Sequence, residues 1–145
     1  MQLDVNWAAF LGGLVAAEGS FNRTSDRFRF AVALAETDTP LCEMAAELLD
    51  VGHVYHYPRR QPHYHDEVIF AVQSIPELVH TIVPFMDSHL PLSKKRDQYL
   101  KWRQELLAYW EKKAKRRRTC VLNGCSSARR AKGLCRHHYF QRYRR

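Results

Sequence analysis

Apolar and polar positions alternate along this chain with two periods, one typical of helices and one of strands. The first segment has large apolar residues at helical spacing: Trp7, Phe10, Leu11, Leu14 and Val15. A second row holds small residues at i, i+4 and i+8: Ala9, Gly13 and Ala17, flanked by Gly12 and Ala16. Glycine inside a helix costs about 1 kcal/mol relative to alanine. Because very close helix packing is the usual compensation, the small row predicts a helix–helix contact.

Strand-like alternation follows in two pairs of segments. The pairs are Phe21–Arg23 with Phe28–Leu34, and Val54–Tyr57 with Val68–Gln73. Further helices are predicted over Leu41–Leu49, Pro76–Asp87 and Ser93–Lys113. Asn6 or Asp4 is expected to cap the first helix, and Gly52 to end the second. The order α-β-β-α-β-β-α-α predicts an α+β domain.

Charge is divided very unevenly along the 145 residues. Residues 1–111 carry 10 Lys/Arg and 15 Asp/Glu, whereas residues 112–145 carry 13 Lys/Arg and no acid. The overall charge of +8 therefore belongs to the tail. The sequence has no run of 18 apolar residues, so we expect no transmembrane helix. The acidic residues Asp4 and Glu18 argue against a signal peptide. We expect a cytoplasmic, non-secreted protein with free or metal-bound cysteines.

The tail contains four soft metal ligands at the spacing of a small structural zinc module. They are Cys120, Cys125, Cys135 and His138, with His137 as the alternative to the last. Such a short segment cannot bury a core, so we expect it to be disordered without Zn²⁺. The predicted organisation is a main domain over 1–111, a basic linker over 112–118 and the zinc module over 119–145. Arg116, Arg117 and Arg118 of the linker are expected to follow DNA phosphates, and Arg136 of the zinc module is expected to add a DNA contact.

The segment LGGLVAAEG, Leu11–Gly19, resembles the LAGLIDADG motif of homing endonucleases, in the variant whose last acid is Glu. The Ser-Phe that follows it and the later segment PLSKKRDQYLKW extend the resemblance over residues 7–110. The resemblance implies the LAGLIDADG homing endonuclease fold, a four-stranded antiparallel saddle over DNA with helices on the other face. One motif helix in the chain implies a symmetric homodimer. Its interface would include Ala9, Gly12, Gly13, Ala16 and Ala17.

The same resemblance assigns the chemistry. Glu18, with the backbone carbonyl of Ala17, would bind Mg²⁺. Lys95, or next Lys94, would approach the metal-bound water; alternatively Ser93 caps a helix and both lysines are solvated. Glu36 replaces the usual Gln and is either a base or outer metal ligand, or a capping carboxylate of the second helix. The expected DNA contacts on the sheet and its loops are Arg23, Arg27, Arg29, Tyr55, Tyr57, Arg59, Arg60 and Gln61.

These features together predict a homodimeric, Mg²⁺-dependent endonuclease making a double-strand cut at a long, near-palindromic DNA site. The alternative is a non-cleaving DNA- or RNA-binding protein on the same scaffold, such as an intron splicing factor or a regulator. Glu36 and the basic tail motivate this alternative.

Overall fold

The computed structural model describes residues 4–143, apart from the side chain of Arg117. The chain divides into two compact units, one ending at Leu106 and the other beginning at Leu107. The elements are α1 (Trp7–Glu18), β1 (Gly19–Thr24), β2 (Arg27–Ala35), α2 (Thr39–Leu49), β3 (His53–Tyr57), β4 (Glu67–Val72), α3 (Ile75–Glu77), α4 (Val83–His89), α5 (Lys94–Arg118) and α6 (Arg136–Tyr143). The predicted α+β order is confirmed.

Helix α1 begins where expected, because the Asn6 side chain accepts a 3.0 Å hydrogen bond from the Ala9 amide. The structure divides the apolar stripe of this helix into two parts. Leu11 and Val15 are fully buried, whereas Trp7 and Phe10 are 47% and 41% exposed. The helix therefore leaves a second apolar surface uncovered within the chain.

Four antiparallel strands form one sheet in the order β1-β2-β4-β3. Because side chains alternate between faces, each row of paired residues shares one face. Phe21, Phe30 and Val72 form one row of the inner face. The inner face packs against the helices to form a core that includes Leu11, Val15, Phe28, Phe30, Val32, Cys42, Ala45, Val68, Phe70, Val72, Leu78, Ile82, Met86 and Tyr99.

Helix α5 is fixed to α4 through a buried tyrosine. The Tyr99 hydroxyl lies 2.6 Å from Asp87 Oδ1 and 3.0 Å from the Val83 carbonyl, and it donates to these acceptors. Arg103 Nε and Nη2 donate to the same Asp87 carboxylate at 3.0 and 3.1 Å. Burial raises the pKa of Tyr99 above its usual range, and the Asp87 carboxylate raises it further.

The predicted end of helix α2 at Leu49 is confirmed, but the residue that ends the helix is Asp50, in the left-handed region (φ 54°), and not Gly52. Gly52 has φ 80°, and a Cβ there would lie 2.7 Å from the Ala71 carbonyl oxygen, so it is needed for a close approach to β4.

The helix predicted over Pro76–Asp87 is instead divided. A π-helical turn, Leu78–Ile82, separates α3 from α4. Pro84, which has no N–H to donate, follows in the first turn of α4. Helix α5 also exceeds its predicted end at Lys113 and continues through residues 112–118.

The second unit is small, and its chain between the end of α5 and the start of α6 is largely irregular. Its buried residues are Cys120, Leu134 and Cys135, with Cys125 and Tyr139 packed against them. Isolated bridges pair Thr119 with Ala128 and Ala131 with Leu134. Among the described residues, no helix combines the length and apolar character that a membrane crossing requires.

Candidate functional site

Glu18 is the last residue of α1, exposed at the edge of a cleft of about 300 Å³. Three further carboxylates, Asp38, Asp66 and Glu67, line the same cleft, together with His65. Glu67 is brought there by the pairing of β4 with β2, which places it opposite Ala35. None of these three acids is among the predicted site residues. Glu67 joins Glu18 only through the strand register.

Ala17 lies in the last turn of α1, where backbone carbonyls lack partners within the helix. Its carbonyl is thus adjacent in the chain to the Glu18 carboxylate, as the predicted metal site requires. A cluster of carboxylate and carbonyl oxygens is the donor set that Mg²⁺ prefers, so these residues fit that ion.

Glu36 follows β2 in a short 3₁₀ turn, and its carboxylate bonds to His56 of β3. The Glu36 oxygens lie 2.9 and 3.1 Å from His56 Nδ1. Glu36 borders a neighbouring recess of about 510 Å³, shared with Arg59, His65 and Asp66. The hypothesis that its carboxylate caps α2 is wrong, because the carboxylate bonds to His56 and no side chain among the described residues caps the first turn of α2. A catalytic role for Glu36 stays a prediction.

The lysines predicted to assist Glu18 lie in the first turn of α5. Ser93 accepts a 3.2 Å hydrogen bond from the Arg96 amide, so it caps this helix. Lys94 is exposed and Lys95 half-buried, and neither lines the cleft beside Glu18. Among the described residues, neither lysine has a hydrogen-bond or ion-pair partner. The structure therefore does not bring them together with Glu18.

The outer face of the sheet carries four of the eight DNA contacts predicted for the sheet and its loops. Arg29 faces outward opposite Asn22, and Arg27 opposite Thr24. Tyr55 and Tyr57 are exposed on β3 with ring centroids 6.4 Å apart. His53 extends this aromatic row, 6.1 Å from Tyr55. His53 is not among the predicted DNA contacts, although its position two residues before Tyr55 places it on the same face of the strand.

Small residues occupy the centre of this outer face. Ala31 pairs with Ala71, and Ala33 with Ile69. Within the described part of the chain, the Arg29 Nε atom is buried without a hydrogen-bond partner. Such a nitrogen is available to an added acceptor.

Arg23 does not belong with these residues, which corrects the prediction for it. It lies opposite Phe28 on the helix-covered face, its guanidinium 5.2 Å from that ring and 3.4 Å from Glu105. The sequence spacing placed it on β1 but did not reveal the partner on α5. Arg59, Arg60 and Gln61 are exposed in the loop after β3, and their contact with DNA stays a prediction.

The two glycines of α1 have different surroundings. A Cβ on Gly12 would lie 2.0 Å from the His89 carbonyl oxygen, so Gly12 permits a close approach of α4 within one chain. A Cβ on Gly13 would meet no described atom within 4 Å. Ala9, Gly13 and Ala17 are exposed, and Ala16 is half-buried. The prediction that Gly12 faces a second subunit is thereby corrected.

The four tail ligands converge. The ligand atoms of Cys120, Cys125, Cys135 and His138 all lie within 4.8 Å of one another. His138 Nδ1 is 3.4 Å from Cys120 Sγ and 3.2 Å from Cys135 Sγ. His137 points elsewhere and lines a recess on the outer side of α6. Three thiols and one imidazole at these separations fit a tetrahedral zinc site.

The surroundings of the cluster favour one thiolate. Burial opposes ionisation of Cys120, but hydrogen bonds from the Leu122 and Cys135 amides and from His138 lower the pKa of its thiol to about 6. For Cys135 the His138 amide favours the thiolate, yet burial and the neighbouring thiols raise its pKa.

The basic residues of the tail are exposed where the structure describes them. Arg116 and Arg118 lie in the last turns of α5, and Arg136 begins α6. The side chain of Arg117 lies outside the described residues.

The sequence profile described as LAGLIDADG endonuclease matches residues 11–106, from the first buried residue of α1 to the middle of α5. The chain belongs to the LAGLIDADG endonuclease family. The match covers the motif helix, the whole sheet and the Glu18 cleft. It ends before the cysteine cluster. A comparison with curated proteins finds no match.

Solved LAGLIDADG structures share the fold at low sequence identity. The meganuclease I-SmaMI, solved with uncleaveable DNA, is 19% identical with a TM-score of 0.63. The aligned region covers 76% of this chain and 39% of I-SmaMI. The I-LtrWI LAGLIDADG homing endonuclease, bound to target DNA, is 23% identical with a TM-score of 0.60, and the aligned region covers 79% of this chain and 39% of I-LtrWI. The group I intron-encoded homing endonuclease I-CeuI, complexed with DNA, is 15% identical with a TM-score of 0.63, and the aligned region covers 79% of this chain and 60% of I-CeuI. This chain therefore spans less than two thirds of each of these relatives.

Proposed function

We propose that this chain is a homodimeric, site-specific DNA endonuclease that makes a double-strand cut at a long, near-palindromic target. The observation that carries the proposal is the end of α1, where an exposed row of small residues leads directly to the exposed Glu18 carboxylate. The family membership and the DNA-bound relatives support a nuclease acting on DNA.

The exposed row supports the dimer. Gly13 has open space around it, so nothing in the described chain accounts for the cost of a glycine in this helix, about 1 kcal/mol. Trp7 and Phe10 beside the row are exposed large apolar side chains. A second copy of α1 would cover these residues by two-fold symmetry. It would also place one Glu18 from each subunit at the foot of the shared contact.

The carboxylates of the cleft support the use of a divalent metal. Glu18 and the Ala17 carbonyl would bind Mg²⁺, and Asp38 is an additional acid that lines the same cleft. When bound, such a metal activates water and stabilises the leaving oxygen of a phosphodiester. The residues of this chain hold the ligand oxygens in place. Lys95, with Lys94 second, would supply positive charge toward the phosphate after DNA has bound.

The outer face of the sheet would bind the duplex. Planar hydrogen-bonding side chains on β1–β3 and the following loop suit the base edges of the major groove. They are Arg27, Arg29, Tyr55, Tyr57, Arg59, Arg60 and Gln61. Because residues 1–111 carry a net charge of −5, much of the attraction to phosphates would come from the basic tail.

We propose further that Cys120, Cys125, Cys135 and His138 bind one structural Zn²⁺. The second unit buries only a few side chains around this cluster. A core this small contributes little stability by itself, so metal binding would supply most of the folding free energy of the unit.

The test is the variant Glu18→Gln, with Glu47→Gln as matched control. Glu47 is an exposed acid on α2 and does not line the cleft. In a cleavage selection on a randomised duplex library with Mg²⁺, the native chain and Glu47→Gln should enrich and cut a target. Glu18→Gln should bind the same target and lose at least about 100-fold in cleavage rate. Undiminished cleavage by Glu18→Gln would refute the mechanism.

A second function is favoured by one observation. Glu36, where the family usually has Gln, is engaged by His56. This supports a non-cleaving DNA- or RNA-binding protein on the same scaffold. Tight binding of a selected target that stays intact at every Mg²⁺ and Mn²⁺ concentration would establish this alternative and exclude the nuclease.

A further inference from the structure

Helix α6 has two chemically different sides. On the inner side, His138 joins the cysteine cluster and Tyr139 packs against the buried residues of the second unit. On the outer side, Arg136, His137, Phe140 and Gln141 are all exposed. Their spacing of i, i+1, i+4 and i+5 places them on one face of the helix. The ligand cluster therefore fixes which face of α6 points outward.

The outer side chains retain unused hydrogen-bonding capacity. They line an open recess of about 690 Å³ together with Ser127, Ala128 and Cys135, and Cys135 is also a member of the cysteine cluster. Among the described residues, Arg136, His137 and Gln141 make no hydrogen bond or ion pair. The Arg136 guanidinium lies 5.9 Å from the centroid of the Phe140 ring, so the face combines donors with an apolar surface.

Charge identifies the class of partner. Residues 112–145 contain 13 Lys/Arg and no acid, so a polyanion is the complementary ligand. Cations alone would suffice for phosphate binding. Phe140, near the centre of the face, and Gln141, at its edge, are therefore better explained by base recognition, in which Gln pairs with adenine, Arg with guanine, and an apolar side chain contacts the thymine methyl.

We propose that α6 is a recognition helix that enters the major groove of duplex DNA. Arg136, His137, Phe140 and Gln141 read a short block of base pairs separate from the block read by the sheet. An α-helix with its side chains, about 10–12 Å across, matches the width of that groove. The inference rests on the proposed function in one respect, which is that the partner is double-stranded DNA.

The experiment is a binding selection with the full, zinc-loaded chain on randomised duplex DNA, followed by affinity measurements. The native chain should enrich a second conserved block besides the one assigned to the sheet. Arg136→Ala and Gln141→Ala should each abolish preference at one or two positions of that block. Each should weaken binding of the selected site by about tenfold or more, with little effect on a site whose second block is scrambled. Zinc content equal to that of the native chain shows that the unit is folded.

The matched control is Arg130→Gln, an exposed cation of the same unit that does not line the recess. It should weaken all sequences by the same factor and lower the slope of log affinity against log salt by about one. Equal loss on all sequences for Arg136→Ala and Gln141→Ala would overturn the inference. So would the absence of a second block, or tighter binding of single-stranded DNA or RNA than of the duplex.

The two proposals fail separately. A chain that enriches the second block but leaves its target uncut refutes the nuclease and leaves the recognition helix standing. A chain that cuts a target lacking a second block refutes only the recognition helix. A chain that enriches no duplex sequence refutes both.

Discussion

Gly12 and Gly13 are adjacent in α1, yet substitution of each should have a different consequence. A methyl group on Gly12 would lie 2.0 Å from the His89 carbonyl oxygen and 2.8 Å from its carbonyl carbon, both backbone atoms that cannot rotate away. Overpacking of this kind costs about 1–3 kcal/mol. The gain in helix propensity offsets only about 1 kcal/mol of it. Because the contact is so short, we expect Gly12→Ala to lower the free energy of unfolding by about 2 kcal/mol.

Gly13→Leu should leave the fold of the single chain intact. No described atom lies within 4 Å of the new Cβ, and leucine is a better helix former than glycine by nearly 1 kcal/mol. In the proposed dimer, two leucines would enter a contact built for glycine. An overpacking cost of about 1–3 kcal/mol per subunit corresponds to about a 30-fold or larger increase in the dimer dissociation constant.

Sedimentation equilibrium measures the dimer, and thermal unfolding at matched, dilute concentration measures the fold. Gly12→Ala should unfold at a temperature lower by about 5–15 °C, whereas Gly13→Leu should dissociate while keeping its helix and sheet content. A Gly13→Leu protein with the native dissociation constant would show that the exposed row of α1 is not the interface.

Three further outcomes follow from the structure. Metal analysis should find one zinc per chain. The zinc should be lost in Cys125→Ser and in His138→Ala, and it should be kept in the controls Cys42→Ala and His137→Ala. If His137→Ala loses the zinc and His138→Ala keeps it, the fourth ligand is His137. Tyr99→Phe removes a buried hydrogen bond to Asp87 and should lower the free energy of unfolding by about 1 kcal/mol near neutral pH, with the exposed Tyr57→Phe as control. The pKa of Tyr99 is raised in the folded state, so the unfolded state ionises first and the free energy of unfolding should fall as the pH rises above about 10. Tyr99→Phe should lessen that fall. A pH dependence that is unchanged by the substitution would contradict this. Replacing Arg116 and Arg118 by Gln should lower the salt dependence of DNA binding by about two units of slope and leave the dimer intact, and an unchanged slope would exclude phosphate contacts by these residues.

Much of the fold was predictable because its signals are local. The alternation in Phe28–Leu34 and Val68–Gln73 identified the two central strands, and Asn6 marked the start of the first helix. The boundaries that failed depend on contacts from elsewhere. Gly52 was interpreted as the residue that ends the second helix, but a glycine is needed there because a Cβ would lie too close to the Ala71 carbonyl oxygen of β4. The helix predicted over Pro76–Asp87 also contains a π-helical turn that the apolar pattern does not reveal.

The candidate site divides in the same way. Glu18 and the four Cys/His residues of the tail were selected from the sequence, since each motif is contained within a short stretch. The structure brings the four tail residues together, and the role of Glu18 stays a prediction. The acids Asp66 and Glu67 were missed because they reach Glu18 only through the pairing of β4 with β2. Arg23 was assigned to the outer face, but its strand position directs it to Glu105 on the helix-covered side.

The sequence by itself determined the motif helix, the strand alternation, the cluster of three cysteines and one histidine, and the separation of a mildly acidic domain from a basic tail. These properties depend on residue type and on spacings of a few positions, which the chain carries without folding. Only the tertiary structure decided which glycine of α1 is enclosed and which is exposed, where Glu36 finds its partner, and which side of α6 faces outward. Those outcomes depend on contacts between segments far apart in the chain, and a shift of one residue in strand register would reverse the face of every side chain involved.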